Sequence, residues 1–504
     1  MRKVHHRRVP SRAGRLPGGT AIGATRITVL SKDEIEIVHE ATLDLLEQVG
    51  VLVREERAAA LLGDAGAERV ANGDVFRIPR SLVREAVAAT PKRWTWHARS
   101  KEHDLRIGEG DRTRLGPGSS CTHILDFETG ALRTPTAEDG DRLVRLMDAL
   151  EYVDINYTPV STGGEEGTNY SEVATLVRDL QNTSKVPVGP SFNGSMARDG
   201  LAVMKALAGG EEELRRKPML AGYCDPVGPL IHDRAMTEVL VEYAALGQPV
   251  FVTCLDLAGA SAPGSLAGTL VQQNAEVLSG LVIAHLVNPR APLIYGCVSG
   301  ILDMRVGNAA LGGPEFGLLS AASAQLAHFY GLPCSTGGQS DARTHDAQAS
   351  VEKGMSLLAS VLAGAEFVDL YFGSYEGYGT TSLEQVILDH DIAGYAFRYA
   401  EGIDVRDETL ALGLLGEVGA GGNFLGNKRS LEYTMARMSE EFYLPSVFDR
   451  RGNSTVAPRK SLLEEAHDRA ARILREHRPE PLDPQVLRSM HEILDGIRRR
   501  PGAS

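Results

Sequence analysis

Apolar residues recur at two different spacings along the chain, and the change between them divides it near residue 150. In the first part, the run 35–46 places apolar residues at the helical spacing, and Gly50 ends it. Short alternating runs at 94–97 and 124–127 predict hairpin-like strands. We therefore expect an α-rich region with a few short strands to lead into the rest of the fold.

Beyond residue 150, short β-rich runs alternate with helix-like segments. Such alternation is typical of parallel βα units. An eighth strand is expected either from 113–119 or from 412–425. Eight units would close a (β/α)8 TIM barrel, and an open, doubly wound sheet is the alternative. The seven predicted strands are 152–158, 186–192, 218–224, 249–255, 292–298, 332–336 and 367–373.

The fold class expected is therefore α/β, and the pattern divides the chain into four regions. Residues 1–24 are basic and are predicted to be a flexible arm, and residues 25–150 form the α-rich N-terminal region. Residues 151–460 form the catalytic barrel. Residues 461–504 form a charged, amphipathic helical tail, which we expect to pack on the barrel or on a neighbouring subunit.

Composition narrows the class of protein. The formal net charge of −13 does not suit a nucleic-acid binder, and no run of 18 apolar residues predicts a membrane span. The five cysteines are far apart and form no CxxC pair, which fits a reducing, cytoplasmic setting. The sequence contains no phosphate-binding loop, no zinc-type spacing and no GxSxG turn.

Candidate chemistry follows the predicted strands, because barrel enzymes place their active sites at the carboxyl ends of the strands. Carboxylates and aromatic rings collect there, and together they suit a cationic ligand. Phe372 lies in a buried strand, whose alternation sends neighbouring side chains to opposite faces. The residues predicted to bind substrate are Tyr223, Asp256, Gln339, Phe372, Tyr375 and Tyr378.

Three further residues are predicted to be catalytic: His345, Asp341 and Glu384. His345 follows the sixth strand, where it can contact a substrate carboxylate or a departing amine, although a structural role is an equal alternative. His390 lies late in a helix between two aspartates and is predicted to have a structural role. A metal site composed from several strand ends stays open as an alternative, although no metal ligands are predicted.

Several phrases together resemble one family. They include LDLLEQVGV from Leu43, NTSK from Asn182, ASAPGSLAG from Ala260, GGQSD from Gly337, SLEQ from Ser382 and GAGGNFL from Gly419. In this order they resemble the trimethylamine methyltransferase family over about residues 30–495. The resemblance implies a (β/α)8 barrel whose mouth binds a small methylated amine.

The resemblance also implies a partner. A separate corrinoid-binding protein would dock over the mouth, and its cobalt(I) would take the methyl group, so this chain would bind no cofactor tightly. Archaeal trimethylamine enzymes of the family carry pyrrolysine, whereas this chain has only ordinary residues. It therefore resembles the branch that uses quaternary amines such as glycine betaine, with His345 expected near the position that pyrrolysine occupies.

The resemblance also implies a homo-oligomer, and the amphipathic tail supports that expectation. Two other functions stay open at this point. One is a barrel that binds betaines without methyl transfer, and the other is a metal-dependent hydrolase or lyase.

Overall fold

The structure is a computed structural model that describes residues 26–70, 73–109, 112–162, 168–451 and 460–500. The predicted flexible arm, 1–24, lies outside the described residues. The N-terminal region consists of α1 (Lys32–Gln48), β1 (Val51–Val53), α2 (Glu56–Asp64), β2 (Glu68–Arg69), β3 (Val75–Arg77), α3 (Arg80–Ala89), β4 (Trp94–Trp96), a 3₁₀ turn (Lys101–His103), β5 (Leu105–Ile107), β6 (Arg114–Pro117), β7 (His123–Leu125), β8 (Leu132–Arg133) and α4 (Ala137–Asp148).

Helices and strands alternate through the middle of the chain, as the sequence predicts. The elements are α5 (Thr168–Asn182), α6 (Gly194–Ala208), α7 (Glu211–Arg216), β9 (Gly222–Cys224), β10 (Ile231–His232), α8 (Arg234–Ala245), β11 (Val250–Cys254), β12 (Leu257–Ala258), α9 (Leu266–Val287), β13 (Leu293–Cys297), β14 (Gly300–Asp303), β15 (Asn308–Ala310), α10 (Pro314–Phe329), β16 (Cys334–Gly337), α11 (Ala347–Ala363), β17 (Phe367–Phe372), β18 (Ser374–Tyr375), β19 (Thr380–Thr381) and α12 (Leu383–Glu401).

The last part of the described chain is helical. It contains α13 (Asp407–Leu410), α14 (Leu412–Val418), α15 (Lys428–Glu441), α16 (Leu462–Glu476) and α17 (Pro484–Arg498). Helix α16 packs on α12, and α17 packs on α5 and α6. The tail therefore covers the outer helices of its own chain.

Six strands form one parallel sheet, in the order β6, β17, β16, β13, β11, β9. Five of them match predicted strands, and β6 lies at the first of the two positions considered for the eighth strand. The second position, 412–425, is helical over α14. The α/β class is thus confirmed, with a half-barrel as its central sheet.

The two remaining predicted strands, 152–158 and 186–192, lie between β6 and β9 as single bridges rather than ladders. Ile155 pairs with Val186, and Val188 pairs with Ala221, both in the parallel sense. The amides of Asp154 and Ile155 donate to the carbonyl of Leu115 in β6, at 2.8 and 3.1 Å. Backbone contacts therefore run from β6 to β9 on this side too.

The sheet encloses a small apolar core. The N-terminal hairpin β4–β5 contributes the indole ring of Trp96 to it. Trp96 is fully buried, and its ring centroid lies 6.0 Å from that of Phe251 and 6.4 Å from that of Phe367. Since Phe251 and Phe367 come from opposite parts of the sheet, these rings fill its interior beneath the carboxyl ends of the strands. The interior is a packed core, not a channel.

Helix α9 is buried on nearly every face, because it lies between the sheet and the N-terminal helices. It contacts α1, α3, α8 and β11. Among the described residues it alone is long and apolar enough to cross a membrane by composition, yet 83% of its most apolar stretch is buried in the fold. Its composition is that of a core helix.

Candidate functional site

The centre of the site is Asp369, which β17 points into the interior of the sheet. Its carboxylate accepts hydrogen bonds from the Ser335 hydroxyl of β16 and from the Tyr223 hydroxyl of β9. The side chain is 1% exposed, and burial raises the pKa of Asp369 to about 6, against the opposing effect of those two donors. A carboxylate thus stands above the aromatic core with its position fixed by two strands.

A second carboxyl group, that of Asp225, follows β9 directly. Its side chain is exposed, although many protein atoms lie around it. Burial, together with repulsion by Asp369 and Asp233, raises the pKa of Asp225 to about 7. Asp225 is two residues from Tyr223, whose hydroxyl contacts Asp369, so the two carboxyl groups belong to the same part of the site and favour a positive ligand.

Three tyrosines surround these carboxyl groups. The ring of Tyr223 stacks on Phe251 at 5.0 Å, while Tyr157 and Tyr378 both lie near enough for Asp369 to raise their pKa further above the ordinary value, after burial as the main cause. The hydroxyl of Tyr157 interacts with that of Tyr223, whereas the hydroxyl of Tyr378 is buried without a hydrogen-bond partner among the described residues. Such a group is open to a ligand or to water.

An unusual turn aims Tyr378 inward. Glu376, Gly377 and Tyr378 all have positive φ angles, of 55°, 56° and 71°. Two non-glycine residues in this region cost energy that the surroundings must offset, and such strain concentrates at functional sites. A Cβ placed on Gly337 would lie 2.7 Å from the Tyr378 hydroxyl, so the glycine makes the room into which that hydroxyl fits.

Apolar side chains form one wall beside the tyrosines. Val298, Leu311, Phe316 and Leu370 form a buried cluster against which Tyr223 and Tyr378 pack. This wall excludes water on one side, so charges in the site act through a low dielectric constant. We call Tyr157, Tyr223, Asp225, Asp369 and Tyr378 the inner cage.

The inner cage can bind a cation, because it offers negative charge and aromatic faces together. Each cation–π contact contributes roughly 0.5–2 kcal/mol, with the larger values in desolvated sites. Methyl groups on the cation match the apolar wall. Among the described residues, no group of three or more His, Cys, Asp and Glu side chains is arranged to hold a metal ion.

Two predicted substrate-binding residues, Tyr223 and Tyr378, thus lie in the inner cage. Phe372 does not, since it is fully buried in the apolar layer between the sheet and helix α12. Gln339 is buried and donates to the Leu370 carbonyl at 3.2 Å and to the Ser374 hydroxyl at 2.7 Å, while its own carbonyl oxygen has no partner among the described residues.

Asp256 belongs to a separate buried pair with Glu276 of α9. Gln272 donates to both carboxyl groups, at 2.9 and 3.2 Å. Burial and the neighbouring Glu276 raise the pKa of Asp256, and burial also raises the pKa of Glu276. The two groups therefore share a proton more readily than they ionise together.

The three predicted catalytic residues are partly exposed and make their contacts outside the inner cage. Asp341 accepts from the amides of Leu311 and Gly312 at 2.8 and 2.9 Å, which holds the neighbouring loop. His345 contacts the Ser382 hydroxyl at 3.4 Å, and its ring lies edge-on to Tyr375 at 6.3 Å. Burial lowers the pKa of His345.

Glu384, at the start of α12, reaches the tail. Its carboxylate lies 2.9 Å from Nδ1 of His467 on α16, and the imidazole of His467 stacks on Phe127 at 3.9 Å. We call Asp341, His345, Tyr375 and Glu384 the rim cluster. His390, predicted to be structural, is buried and stacks on Tyr152 at 4.7 Å.

Sequence reasoning selected none of Tyr157, Asp225, Ser335 and Asp369. Asp369 carried a usable signal, because burying a carboxylate in the middle of the apolar run Phe367–Phe372 costs free energy unless that carboxylate binds a partner. Tyr157 and Ser335 carried none, since tyrosine and serine are ordinary residues in strands that face an interior.

Comparisons with known proteins show which family the chain resembles. The family described as trimethylamine methyltransferase (MTTB) matches residues 6–502. The glycine betaine methyltransferase of Desulfitobacterium hafniense (strain Y51) is 33% identical over 463 residues, which cover 92% of this chain and 95% of that protein. The trimethylamine methyltransferase MttB of Methanosarcina barkeri is 33% identical over 489 residues, covering 95% and 97%.

A solved structure shows the same fold. The monomethylamine methyltransferase MtmB of Methanosarcina barkeri superposes with a TM-score of 0.53 and 12% identity, and the match covers 90% of this chain and 88% of that one. At this identity the likeness concerns the fold alone.

Proposed function

The chain belongs to the trimethylamine methyltransferase family, and we propose that it transfers a methyl group from a quaternary or methylated amine to the corrinoid of a partner protein. The inner cage carries this proposal. Two carboxyl groups, three tyrosines and an apolar wall fit the charge and the methyl surface of such an amine. Glycine betaine and trimethylamine, after which the relatives are named, are the first donors to test.

The reaction is balanced without a further reactant when the donor is a quaternary amine or a protonated methylated amine. The bond between nitrogen and one methyl carbon breaks, and its electron pair stays on nitrogen as a neutral amine. The corrinoid acts as the second substrate, and its reduced cobalt supplies the electron pair for the new bond to carbon. The tasks of this chain are to hold the donor in line and to exclude water.

The charge of the donor changes during the step, and the inner cage responds to that change. Asp225 and Asp369 attract the ammonium group before transfer, and the neutral amine that remains has lost this attraction. The same carboxyl groups therefore favour binding of the charged donor and no longer retain the neutral product. The tyrosine faces lose their cation–π contact at the same moment.

We also propose that the sheet closes into an eight-stranded (β/α)8 barrel, in which 153–156 and 186–188 are the two missing strands. The single bridges of Ile155 and Val188, and the hydrogen bonds to Leu115, support closure. The regions 25–150, 151–460 and 461–504 would then be its N-terminal cover, the barrel region and the packed tail.

The rim of the mouth suits a partner that brings the corrinoid and leaves again. Apolar side chains stand exposed on the loops that follow the strands, and they are scattered rather than continuous: Phe192, Val227, Leu255, Met304 and Val306. Interfaces of this kind are about as apolar as ordinary surface. We propose this rim as the place where the corrinoid protein docks, with the corrinoid held by that partner.

Within the proposal, the rim cluster has a supporting role. His345 lies beside Tyr375, so it is placed to contact the outer end of a bound donor, such as a betaine carboxylate. Asp341 orients the rim through its contacts with the loop 311–312, and Glu384 orients it through His467. The five buried, unpaired cysteines support a reducing compartment such as the cytoplasm.

A spectroscopic assay tests the proposal. The full chain is mixed with a reduced cobalt(I) corrinoid on its partner protein, donors are added singly, and formation of the methylated corrinoid is followed by absorbance. We expect methylation with at least one quaternary amine, and a strongly raised KM for that donor in Asp369→Asn. Donor binding without any methylation would instead indicate a binding protein, and neither binding nor methylation would refute the proposed function.

A further inference from the structure

A buried ion pair lies between α11, α12 and the end of β17, outside the inner cage. Lys353 of α11 and Asp389 of α12 are both 0% exposed, and the Lys353 ammonium nitrogen lies 3.1 Å from the Asp389 carboxylate. The proposed reaction uses neither group. Two charges without access to water need a reason of their own, because burying a charge costs free energy.

Both members of the pair bind the backbone where β17 ends. The Lys353 ammonium group donates to the carbonyl oxygens of Tyr371 and Ser374, the latter at 2.9 Å. The Asp389 carboxylate accepts from the amide of Gly373 at 2.8 Å. These peptide groups are thus fixed by charge-assisted hydrogen bonds, which are stronger than hydrogen bonds between neutral groups.

The pair is complete without a ligand. An ammonium group carries three protons, and Lys353 directs them at two carbonyls and one carboxylate. The other oxygen of the Asp389 carboxylate accepts from the side-chain amide of Gln385 at 2.8 Å. A fully satisfied polar network of this kind makes its surroundings rigid. The pair therefore supports its neighbours and is not a second binding site.

Two residues of the inner cage flank the stretch that the pair holds. Asp369 precedes Tyr371 by two residues in β17. On the other side, Gly373 turns the chain, with a φ angle of 80°, into β18, which pairs with β19. The turn between these two strands carries Tyr378. A shift of the backbone at 371–374 would therefore move the carboxylate and the aromatic ring relative to each other.

Stability alone does not explain such a pair. The cost of removing two charges from water can exceed the attraction between them, and apolar side chains of similar volume often replace buried ion pairs without loss of stability. Charged groups do provide direction, because they fix the carbonyls and the amide that they contact. Residues that bind a ligand depend on supporting contacts of this kind to keep their geometry.

We infer that Lys353 and Asp389 are positioning residues, which hold the backbone at 371–374 so that Asp369 and Tyr378 face the donor together. The inference rests on the proposed function, because it concerns the binding of the methyl donor. Both side chains are fully buried behind β17, so they act through the cage residues and do not contact the donor.

The double variant Lys353→Met/Asp389→Asn tests the inference in the full chain. It removes both charges together, so no unpaired charge stays buried, and we expect the wild-type circular dichroism spectrum. The KM for the donor should rise roughly tenfold, because small displacements of positioned groups are costly. The KM for the corrinoid protein should stay within about twofold, since that partner meets a different surface.

The two KM values separate positioning from a merely structural role. A structural role would reduce the amount of active protein, which lowers the apparent kcat and leaves both KM values unchanged. That result would overturn the inference. If the double variant does not fold, Asp389→Asn alone is measured, in which Lys353 keeps its two carbonyl partners. The donor KM should then rise about threefold, as for the loss of one supporting contact, and an unchanged value would equally overturn the inference.

Arg112→Met/Asp154→Asn is the matched control. The Arg112 guanidinium donates to the Asp154 carboxylate at 2.7 and 2.8 Å, and this carboxylate also binds the amide of Leu115 in β6. The control removes a charge pair that also holds a strand of the sheet but does not contact 371–374, so both KM values should stay as in the wild type. A rise of the donor KM equal to that of the test variant would refute a specific role for Lys353 and Asp389.

Calorimetric Kd values for the donor, measured on the same samples, distinguish this inference from the proposed function. A raised Kd in the double variant, with no methylation by the wild-type chain, would refute the proposed function and retain the positioning role. Methylation by the wild-type chain, with unchanged donor KM and Kd in the double variant, would refute the positioning role alone. Neither binding nor methylation by the wild-type chain would overturn both.

Discussion

The inner cage and the rim cluster contain the same kinds of side chain, but they use them differently. Each carboxylate of the rim cluster has a protein partner: Asp341 holds two loop amides, and Glu384 faces His467. In the inner cage, Ser335 and Tyr223 hold the Asp369 carboxylate among tyrosine rings, and the Tyr378 hydroxyl is buried without a partner among the described residues. A fixed carboxylate beside aromatic faces and an open hydroxyl suits a cationic ligand, whereas the rim carboxylates stabilise a loop and the tail.

The largest expected effect is that of Asp369→Asn. The change keeps the size of the side chain but removes the charge that faces the donor. Losing one partner of a buried charge pair costs about 2–3 kcal/mol here, so KM for a quaternary donor should rise roughly 30- to 150-fold. Steady-state methyl transfer measures it.

Asp303→Asn is the control for this variant. Asp303 lies on the hairpin β14–β15 near the mouth and is paired with Arg305 at the surface. The Asp303→Asn substitution removes the same charge without changing the inner cage, so KM should stay within about twofold, as for an exposed ion pair. An equal rise of KM in both variants would mean that the overall negative charge of the mouth, and not the inner cage, attracts the donor.

The next effect is a dependence of donor binding on pH. The pKa of Asp369 is raised to about 6 and that of Asp225 to about 7, so both groups hold protons at pH 5 and lose them by pH 8. A quaternary amine keeps its charge throughout and binds the ionised form. Its Kd should therefore fall about tenfold or more from pH 5 to pH 8, as calorimetry can measure.

The same two groups affect stability in the opposite sense. Their raised pKa values mean that the folded protein retains protons which the unfolded chain releases above about pH 4. They contribute to the free energy of unfolding at low pH, and this contribution is lost as pH rises to about 7. The donor should thus raise the melting temperature more at pH 8 than at pH 5, and an equal shift would contradict the cage.

A smaller loss is expected from Tyr378→Ala, which removes one aromatic face. A cation–π contact of about 1 kcal/mol corresponds to a roughly fivefold weaker binding of the donor. Tyr399→Ala is matched to it, because Tyr399 is 60% exposed at the far end of α12. Equal affinities for the two variants, measured by calorimetry, would remove Tyr378 from the cage.

The smallest effect is predicted for His345→Ala. His345 contacts Ser382 at the rim, so its loss should change kcat/KM by about threefold or less, with a carboxylate-bearing donor affected more than one without a carboxylate. Parallel assays with glycine betaine and with tetramethylammonium measure the difference. A loss as large as that of Asp369→Asn would move the chemical centre to the rim cluster.

The sequence predicts much of this fold, because strands and helices leave clear periodic patterns. The strands β11, β13 and β17 lie within one residue of their predicted bounds. The 412–425 alternative for the eighth strand was wrong, since glycine-rich, apolar sequence there forms α14 and exposed loops instead. Periodicity alone does not show whether an apolar run packs inside its own chain.

The candidate site was less predictable, for a physical reason. Sequence reasoning searches the loops after the strands, and it found Tyr223 and Tyr378 by that rule. Asp369 and Ser335 lie within strands, where only the direction of the side chain decides between core and site. Phe372 shows the same difficulty from the other side, since it points into the layer under α12.

The most direct test is a side-by-side titration of glycine betaine and other quaternary amines into two double variants, with methyl transfer measured on the same samples. We predict that Asp225→Asn/Asp369→Asn abolishes both donor binding and transfer, whereas His345→Ala/Glu384→Gln retains donor binding. Undiminished binding in the first variant, with binding lost in the second, would contradict the account and assign the donor site to the rim cluster.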